Sequence, residues 1–361
     1  MDKHYLKDAR SVIEAAGKLN ERFAGKTILL TGAAGFLGTQ FVHYFVTLND
    51  QQVLSRPCRL VAMDNYLRGM PEWLAQLKSR DYLDVLTTDV VRCESYPHAD
   101  FVIHAASVAS PIYYRQYPIE TMDANVWGLR RLLEHARSNP AESLLFFSTS
   151  EIYGDPDCAH IPTDENYRGY VSCTGPRACY DESKRFGETL CVAFWNVHQV
   201  PVKIVRPFNN YGPGLRITDR RVLPDFFRDV LNHRDVVLLS DGRATRTFCY
   251  ASDAIEGYLR VMLSTEDGEA FNIGTETPEV SMLDLARKVI HVCGREVKVV
   301  HQVSDDQQYL TDNPQRRCPN IAKARQRLGY QPKVSLEEGL LRTRDYYLDH
   351  WREVEHFADR K

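Results

Sequence analysis

Six short runs in the first two-thirds of the chain are apolar almost without interruption or end on an apolar stretch: TILLTG from Thr27, RLVAMD from Arg59, YLDVLTTDV from Tyr82, DFVIHAA from Asp100, SLLFFSTS from Ser143 and VKIVRPF from Val202. Runs of this length without polar alternation predict parallel strands covered on both faces. Helical patterns lie between them. Leu37, Phe41, Phe45 and Leu48 fall on one helix face, as do Val126, Leu129, Leu132 and Leu133. The alternation predicts an α/β fold, a doubly wound parallel sheet of the Rossmann type. Beyond about residue 206 the pattern loosens into loops such as NNYGPGLRITDRR and TDNPQRRCPN, which reads as a smaller α/β C-terminal part that binds substrate. Stretches near RTFCYASD and AFNIG are strand-like and are expected to return to the main sheet. The division is therefore interleaved: a helical extension over 1–24, a nucleotide-binding domain over 25–205 with returning segments at about 240–275, and a substrate-binding domain from 206–239 and 276–361.

The 361 residues carry 45 Lys and Arg against 48 Asp and Glu, a net charge of -3. That balance gives no footprint for nucleic acid or for an anionic membrane surface. No apolar run approaches the roughly 20 residues of a membrane helix, and the first residues lack the apolar stretch of a secretory signal. A cytoplasmic protein is expected. The nine cysteines are odd in number and scattered, without the spacings of a metal site or a disulfide framework, so free thiols and no metal are expected.

Candidate chemistry begins at TGAAGFLG. Gly32, Gly35 and Gly38 follow a strand directly and open a helix at Phe36 and Leu37, where glycines allow backbone N–H groups to approach a pyrophosphate. Asp64, followed by Asn65, ends the next strand and is placed to accept hydrogen bonds from ribose hydroxyls, which favours NAD over NADP; Arg68 nearby is the residue that would soften that preference. Asp89 and Val90 end the third strand near the adenine, and Ala105 and Ala106 follow the fourth, where small side chains let backbone pack on the cofactor.

Tyr180 and Lys184 are four apart in YDESKRFGETL and share a helix face. A neighbouring ammonium is expected to lower the phenol pKa and make Tyr180 a base, with both residues also touching the cofactor. Open α/β sheets bind ligands beyond the carboxyl ends of their strands, so Thr149, Ser150 and Glu151, after the fifth strand, are expected to face the nicotinamide. Cys179 beside Tyr180 reads as a small apolar filler.

The blocks ASPIYYRQYPIETMDANVWG, STSEIYGDP, GPRACYDESKRFGETL, RPFNNYGPG and DGRATRTFCYASDAIEG resemble the extended short-chain dehydrogenases/reductases that modify nucleotide sugars, over nearly all of Lys26 to Asp349. Within that family the chain is most similar to the UDP-glucuronate decarboxylases, also called UDP-xylose synthases, mainly through GPRACYDESKR and STSEIYGDP. The resemblance implies an NAD-dependent lyase that oxidises C4, loses CO2 from C5 and re-reduces the ketone to UDP-xylose, or releases the 4-keto-pentose. It implies that Thr149 holds the C4 oxygen, that Ser150 and Glu151 manage the carboxylate and proton traffic at C5, and that Arg246 donates a proton or binds phosphate. Tyr114, Asn209, Arg221 and Arg317 are the implied substrate contacts, with Arg220 and Arg316 adjacent to two of them. Thr-Ser-Glu at the strand end argues against a dTDP-glucose dehydratase. It leaves a GDP-mannose-like 4,6-dehydratase or another nucleotide-sugar epimerase as the alternative. The chain departs from the decarboxylase pattern at Ser107, at Asn320 and in the loop RITDRR, where a glycine is usual. Relatives pair as homodimers through two helices, here Ile119 to Arg137 and Tyr180 to His198, and Leu190 and Phe194 are compatible apolar contacts.

Overall fold

The computed structural model describes residues 1–304 and 311–351. Seven parallel strands form the central sheet: β1 (Thr27–Thr31), β2 (Arg59–Asp64), β3 (Leu83–Thr87), β4 (Phe101–His104), β5 (Ser143–Phe147), β6 (Val202–Pro207) and a seventh over Ala270–Ile273. The order across the sheet is Ala270–Ile273, β6, β5, β4, β1, β2, β3. β1 therefore pairs with β2 on one side and β4 on the other, and the connections leave it in opposite directions. Their divergence opens a crevice beyond the carboxyl ends of β1 and β4. Ile28, Leu29, Leu30, Phe101 and Ile103 have no exposed surface, because helices cover both faces.

The third strand stops at Thr87, short of the expected Val90, and residues 88–90 lead into the loop beyond the strand end. The AFNI stretch joins the main sheet beside β6. RTFCYASD does not: Thr245–Arg246 pairs with Val280–Ser281 and Arg316–Arg317, and Cys249–Tyr250 pairs with Asn210–Tyr211. Two-residue ladders like these are too short to extend a sheet, and they tie C-terminal segments together across its top edge.

Helix α1 (Lys3–Ala16) is capped by Asp2, whose carboxylate accepts from His4 N–H at 2.8 Å. It buries Tyr5, Asp8, Ala9, Val12 and Ala16. Helix α2 (Phe36–Asp50) starts at the glycine turn and is buried from Gly38 to Asn49, since α1, the sheet and the helix Ala251–Met262 enclose it. A second core lies under the C-terminal part, where Phe226, Phe227, Leu285, Val289 and Leu340 pack between the helices Val222–Leu231, Met282–Cys293 and Leu336–Asp349.

Candidate active site

The crevice wall is made by backbone. Gly32 has φ +76, and a Cβ there would lie 2.6 Å from Ala106 N. A Cβ on Gly38 would lie 2.0 Å from Gly32 O. Neither position accepts a side chain. The N–H of Gly35 donates to Gly32 O at 3.0 Å, Ala105 N–H donates to Thr31 O at 3.2 Å, and α2 begins at Phe36. Asp64 stands across this turn, accepting from Ala34 N–H at 3.0 Å and from Tyr66 N–H at 2.9 Å. Burial pushes its pKa up while these amides oppose the shift. Asn65 caps its own turn through Leu67 N–H at 3.1 Å. Asp89 does the same for Val91 at 2.8 Å, and Val90 is buried with its side chain against Gly128. Phe36 and Leu37 pack on the second and first cores respectively. A tight left-handed turn, a helix N-terminus and an acid at the second strand end together suit a dinucleotide, so the residues fit NAD. Arg68 is held elsewhere, 3.3 Å from Asp219 and 5.1 Å from the Tyr113 ring centroid. The cation whose charge acts on Asp64 is Arg216, a residue with no sequence motif to mark it.

Beyond β5 the structure brings Thr149, Ser150, Glu151 and Tyr180 together. Thr149 caps the short helix Ser150–Tyr153, accepting from Glu151 N–H at 3.2 Å. Its hydroxyl lies close enough to Tyr180 to lower that phenol's pKa, and the Tyr180 ring stacks on Tyr114 with centroids 5.0 Å apart and 6° between planes. The expected lowering of the Tyr180 pKa by Lys184 is not what this geometry gives. Burial pushes the phenol up to about 12, with the Thr149 hydroxyl opposing, and pushes Lys184 down to about 7. Lys184 Nζ donates to Phe147 O at 2.6 Å and lies 5.8 Å from the Tyr180 ring centroid, so its direct partner is the carbonyl ending β5.

Glu151 lies in a cage of guanidinium groups. Arg177 donates to Glu151 Oε2, and Arg317 grips the carboxylate in a fork, with Nη2 to Oε2 at 2.5 Å. Burial alone would raise the Glu151 pKa, but the charges of Arg177, Arg317 and Arg246 hold it well below the usual carboxylate range. Arg317 is thus committed to Glu151, which corrects its expected place on the diphosphate. Arg246 donates to the carbonyls of Thr245 at 2.7 Å, Gln315 at 3.2 Å and Pro314, bracing the segment that carries Arg317. Burial, then repulsion from Arg317, pushes its pKa down to about 9. Arg177 and Asp181, absent from the sequence-based site, complete the cluster: Asp181 is 4% exposed, 3.9 Å from Arg177 Nε, and its pKa is raised by burial and by Glu151. A single arginine in a loop carries no spacing signal, and only the approach of Glu151 reveals this one.

The remaining substrate candidates divide. Arg221 lies 2.7 Å from Asp219 Oδ2 and its charge acts on Tyr180. Asn209 turns its amide to Thr247 O at 2.9 Å and holds the short strand pair together. Arg316 is paired with Glu279 at 2.9 and 2.7 Å. Arg220 has φ +59, a left-handed backbone within the loop RITDRR, where the resemblance expects a glycine-containing stretch. Cys179 Sγ contacts Tyr114 O at 3.5 Å, and burial raises its pKa. Asn320 Oδ1 accepts from Ala322 N–H at 2.9 Å, starting the helix Ala322–Leu328, and the Ser107 hydroxyl is buried with no partner among the described residues. No group of side chains suited to a metal ion occurs among them, and no helix is long and apolar enough to cross a membrane.

The chain is similar to several known proteins. UDP-glucuronic acid decarboxylase 6 of Arabidopsis thaliana is 36% identical over 315 residues, covering 87% of this chain and 86% of its own length. UDP-glucuronic acid decarboxylase 1 of Xenopus tropicalis is 35% identical over 336 residues, covering 92% and 74%. Among solved structures, an epimerase of Methanothermobacter thermautotrophicus superposes with a TM-score of 0.79 over 96% of this chain and 98% of its own, at 24% identity. The UDP-glucuronic acid 4-epimerase of Bacillus cereus, solved with UDP-glucuronic acid and NAD, superposes with a TM-score of 0.73 over 90% and 99%, also at 24% identity. The family model matching residues 28–274 joins these findings to the glycine turn and the site beyond β5: the chain belongs to the NAD dependent epimerase/dehydratase family.

Proposed function

We propose that this protein is a UDP-glucuronate decarboxylase that works through a 4-keto intermediate. The observation that carries the reading is the cluster beside Tyr180, where the buried Arg246 and Arg317 and the partly buried Arg177 surround one ionised carboxylate. The surplus positive charge suits a sugar that brings its own carboxylate, and a neutral hexose has no use for it. The identity to decarboxylases of plants and vertebrates supports the same choice.

Gly32, Gly35, Gly38 and Asp64 would hold NAD, which would supply the hydride acceptor and donor. Tyr180 takes the proton of the C4 hydroxyl, and Thr149, beside that phenol, holds the C4 oxygen. Once C4 is a ketone it lies β to the carboxylate. The C5–carboxylate bond breaks, CO2 leaves, and the electron pair passes into the enolate of that ketone, which takes a proton from water at C5. Arg177 sits where it can hold the leaving carboxylate, and Ser150 lines the same edge. Glu151 stays ionised in its cage, so it orients the guanidinium groups rather than donating the C5 proton. Arg221 contacts the diphosphate from the loop above Tyr180.

Proton NMR of the protein with UDP-glucuronate and catalytic NAD tests this. A UDP-pentose or UDP-4-keto-pentose is expected, and their ratio reports whether the hydride returns. Epimerisation with the carboxylate retained, or a 4-keto-6-deoxy product from a GDP- or dTDP-hexose, would replace the reading with that of an epimerase or dehydratase.

The helices Pro118–Asp123 and Ala178–His198 expose Ile119, Phe186 and Val197, and Trp127 between them is 60% exposed. These residues support a homodimer through this face, to be checked by light scattering. The expected contact Phe194 is not among them, being buried in the sheet-side core, and Leu190 packs partly against that core. Nine free cysteines support a reducing, cytoplasmic setting.

A further inference from the structure

The first 24 residues precede the family match, which begins at residue 28, yet their helix reaches the loop that roofs the site. That loop, Gly212 to Arg221, is bonded to Arg68 and Ser110, and its charges reach both ends of the crevice. Arg216 acts on Asp64 and donates to Arg68 O at 3.4 Å. Asp219 holds Arg68 and Arg221 and accepts through its carbonyl from Ser110 Oγ at 2.8 Å. Arg221 acts on Tyr180. Position of this loop therefore sets the geometry of cofactor and substrate contacts together.

The loop enters through two glycines at positive φ, Gly212 at 142° and Gly214 at 86°, and a buried residue of α1 stands behind each. The Tyr5 ring lies directly against Gly214: a Cβ there would be 2.6 Å from the Tyr5 hydroxyl oxygen and 3.2 Å from Cε1. Tyr5 is fixed by stacking on His43 of α2, with centroids 4.1 Å apart and 15° between planes, and by a 3.1 Å contact of its hydroxyl with that of Tyr346. Behind Gly212 lies the Tyr250 ring, 3.2 Å from where a Cβ would sit. The Tyr250 hydroxyl donates to Asp8 Oδ2 at 2.8 Å, and Arg342 donates to Asp8 Oδ1 at 3.2 Å. The loop backbone is completed by Gln40 of α2, donating to Pro213 O at 2.6 Å, and by Tyr347, donating to Leu215 O at 2.6 Å. Lys3 and His4 contact Asp349 at 2.7 and 2.6 Å and clasp α1 to the helix Leu336–Asp349.

We propose that α1 is a positioning element for the active site, with Tyr5 beneath Gly214 and Asp8 behind Tyr250 and Gly212 fixing the loop over cofactor and substrate. Which substrate the loop meets rests on the proposed decarboxylase reading; the coupling of α1 to the loop does not.

Hydrogen–deuterium exchange over Leu215–Arg221 and steady-state kinetics with UDP-glucuronate, on the full chain, test the proposal. Tyr5→Ala is expected to speed exchange in the loop and to raise KM about 5-fold with kcat within about 2-fold. Tyr5→Phe keeps the ring on His43 and under Gly214 and is expected to restore both. Tyr5→Leu, which preserves apolar bulk without the flat ring, carries the same expectation and serves where Tyr5→Ala does not fold. Loop exchange and KM unchanged in a variant whose melting temperature falls would overturn the proposal and leave α1 a structural helix. Should the parent fail to turn over UDP-glucuronate, the decarboxylase reading falls, and the loop exchange alone decides the role of α1.

Discussion

The glycine turn and the arginine–glutamate cluster sit at opposite ends of one crevice and are built in opposite ways. The turn is backbone: three glycines within TGAAGFLG create a surface by excluding side chains, and its near neighbour Asp64 is the one acid it uses. The cluster is side chain: Glu151, Arg177, Asp181, Arg246 and Arg317 come from four separate segments and hold one another by charge. A backbone site selects by shape and is indifferent to pH. A charge-built site selects by sign, and every member it loses strands a partner in a buried place. In the proposed reading the first device holds the cofactor, and the second distinguishes the sugar.

Substitutions at Tyr180 separate these regions most sharply. Tyr180→Phe keeps the ring stacked on Tyr114 and removes the proton-transferring oxygen, so turnover is expected to fall roughly 10²–10⁴-fold while NAD affinity, measured by calorimetry, stays within about 2-fold. A large loss of NAD affinity would mean that the two ends are not independent. Within the cluster the acid is outnumbered, and the effects are expected to be unequal. Glu151→Gln leaves Arg177 and Arg317 without their carboxylate and is expected to cost about 3 kcal/mol in denaturant unfolding. Arg317→Met leaves Glu151 with Arg177 and is expected to cost about 2 kcal/mol. Equal losses would show that the cage acts as separate pairs. The sign of the pH effect follows from the depressed Glu151 pKa. Its contribution is complete above the unfolded carboxyl value of about 4.5 and is lost as pH falls through the lower folded value, so acid unfolding of Glu151→Gln should be flatter than that of the parent.

The same contrast explains what could be read from the chain. Gly32, Gly35, Gly38 and Asp64 were legible because their geometry is local: a strand end, a turn and a helix start are contiguous, and each needs a particular residue type. The strands were legible for the same reason, as was the meeting of Thr149 with Tyr180, since the sheet rule places strand ends at one edge. Arg177 lies inside GPRACYDESKRFGETL, a block that carries the family resemblance, yet nothing in its neighbours announces Glu151. Arg317 was assigned to phosphate because its true partner lies 166 residues away. The Tyr180–Lys184 spacing was right, yet the sign of the expected pKa shift was not, because burial of both groups depends on the whole fold and not on the helix that carries them. Helix α1 was visible as a helix, but its contact with the helix Leu336–Asp349 spans 345 residues and leaves no periodic trace.

Gly38→Ala tests the shape-built end. The added methyl falls 2.0 Å from Gly32 O and 2.9 Å from Ala33 Cα, both backbone, so the turn must shift. Overpacking of this kind is expected to cost about 1–3 kcal/mol of stability and at least about tenfold in NAD affinity, with the separation of Glu151 from Arg177 and Arg317 untouched. Preserved NAD binding would mean that the helix start is more pliable than its contacts imply.

Asp64→Asn should have the smallest effect, and it asks whether charge matters even where shape dominates. Asp64 offers one oxygen to Ala34 N–H and the other to Tyr66 N–H, and burial already raises its pKa against those bonds. Asparagine keeps one acceptor and replaces the other with a donor that faces a donor, so one turn amide loses its partner. The expected cost is about 1 kcal/mol, read as roughly a fivefold loss in NAD affinity. The gain should appear with the phosphorylated cofactor: without a carboxylate to repel a 2′-phosphate, and with Arg216 close enough to act on this position, NADP binding should strengthen as NAD binding weakens. Parallel calorimetric titrations with the two cofactors measure the ratio directly. A ratio that does not move would assign cofactor choice to the width of the glycine turn alone, and would extend the backbone rule to the one acid at this end of the crevice.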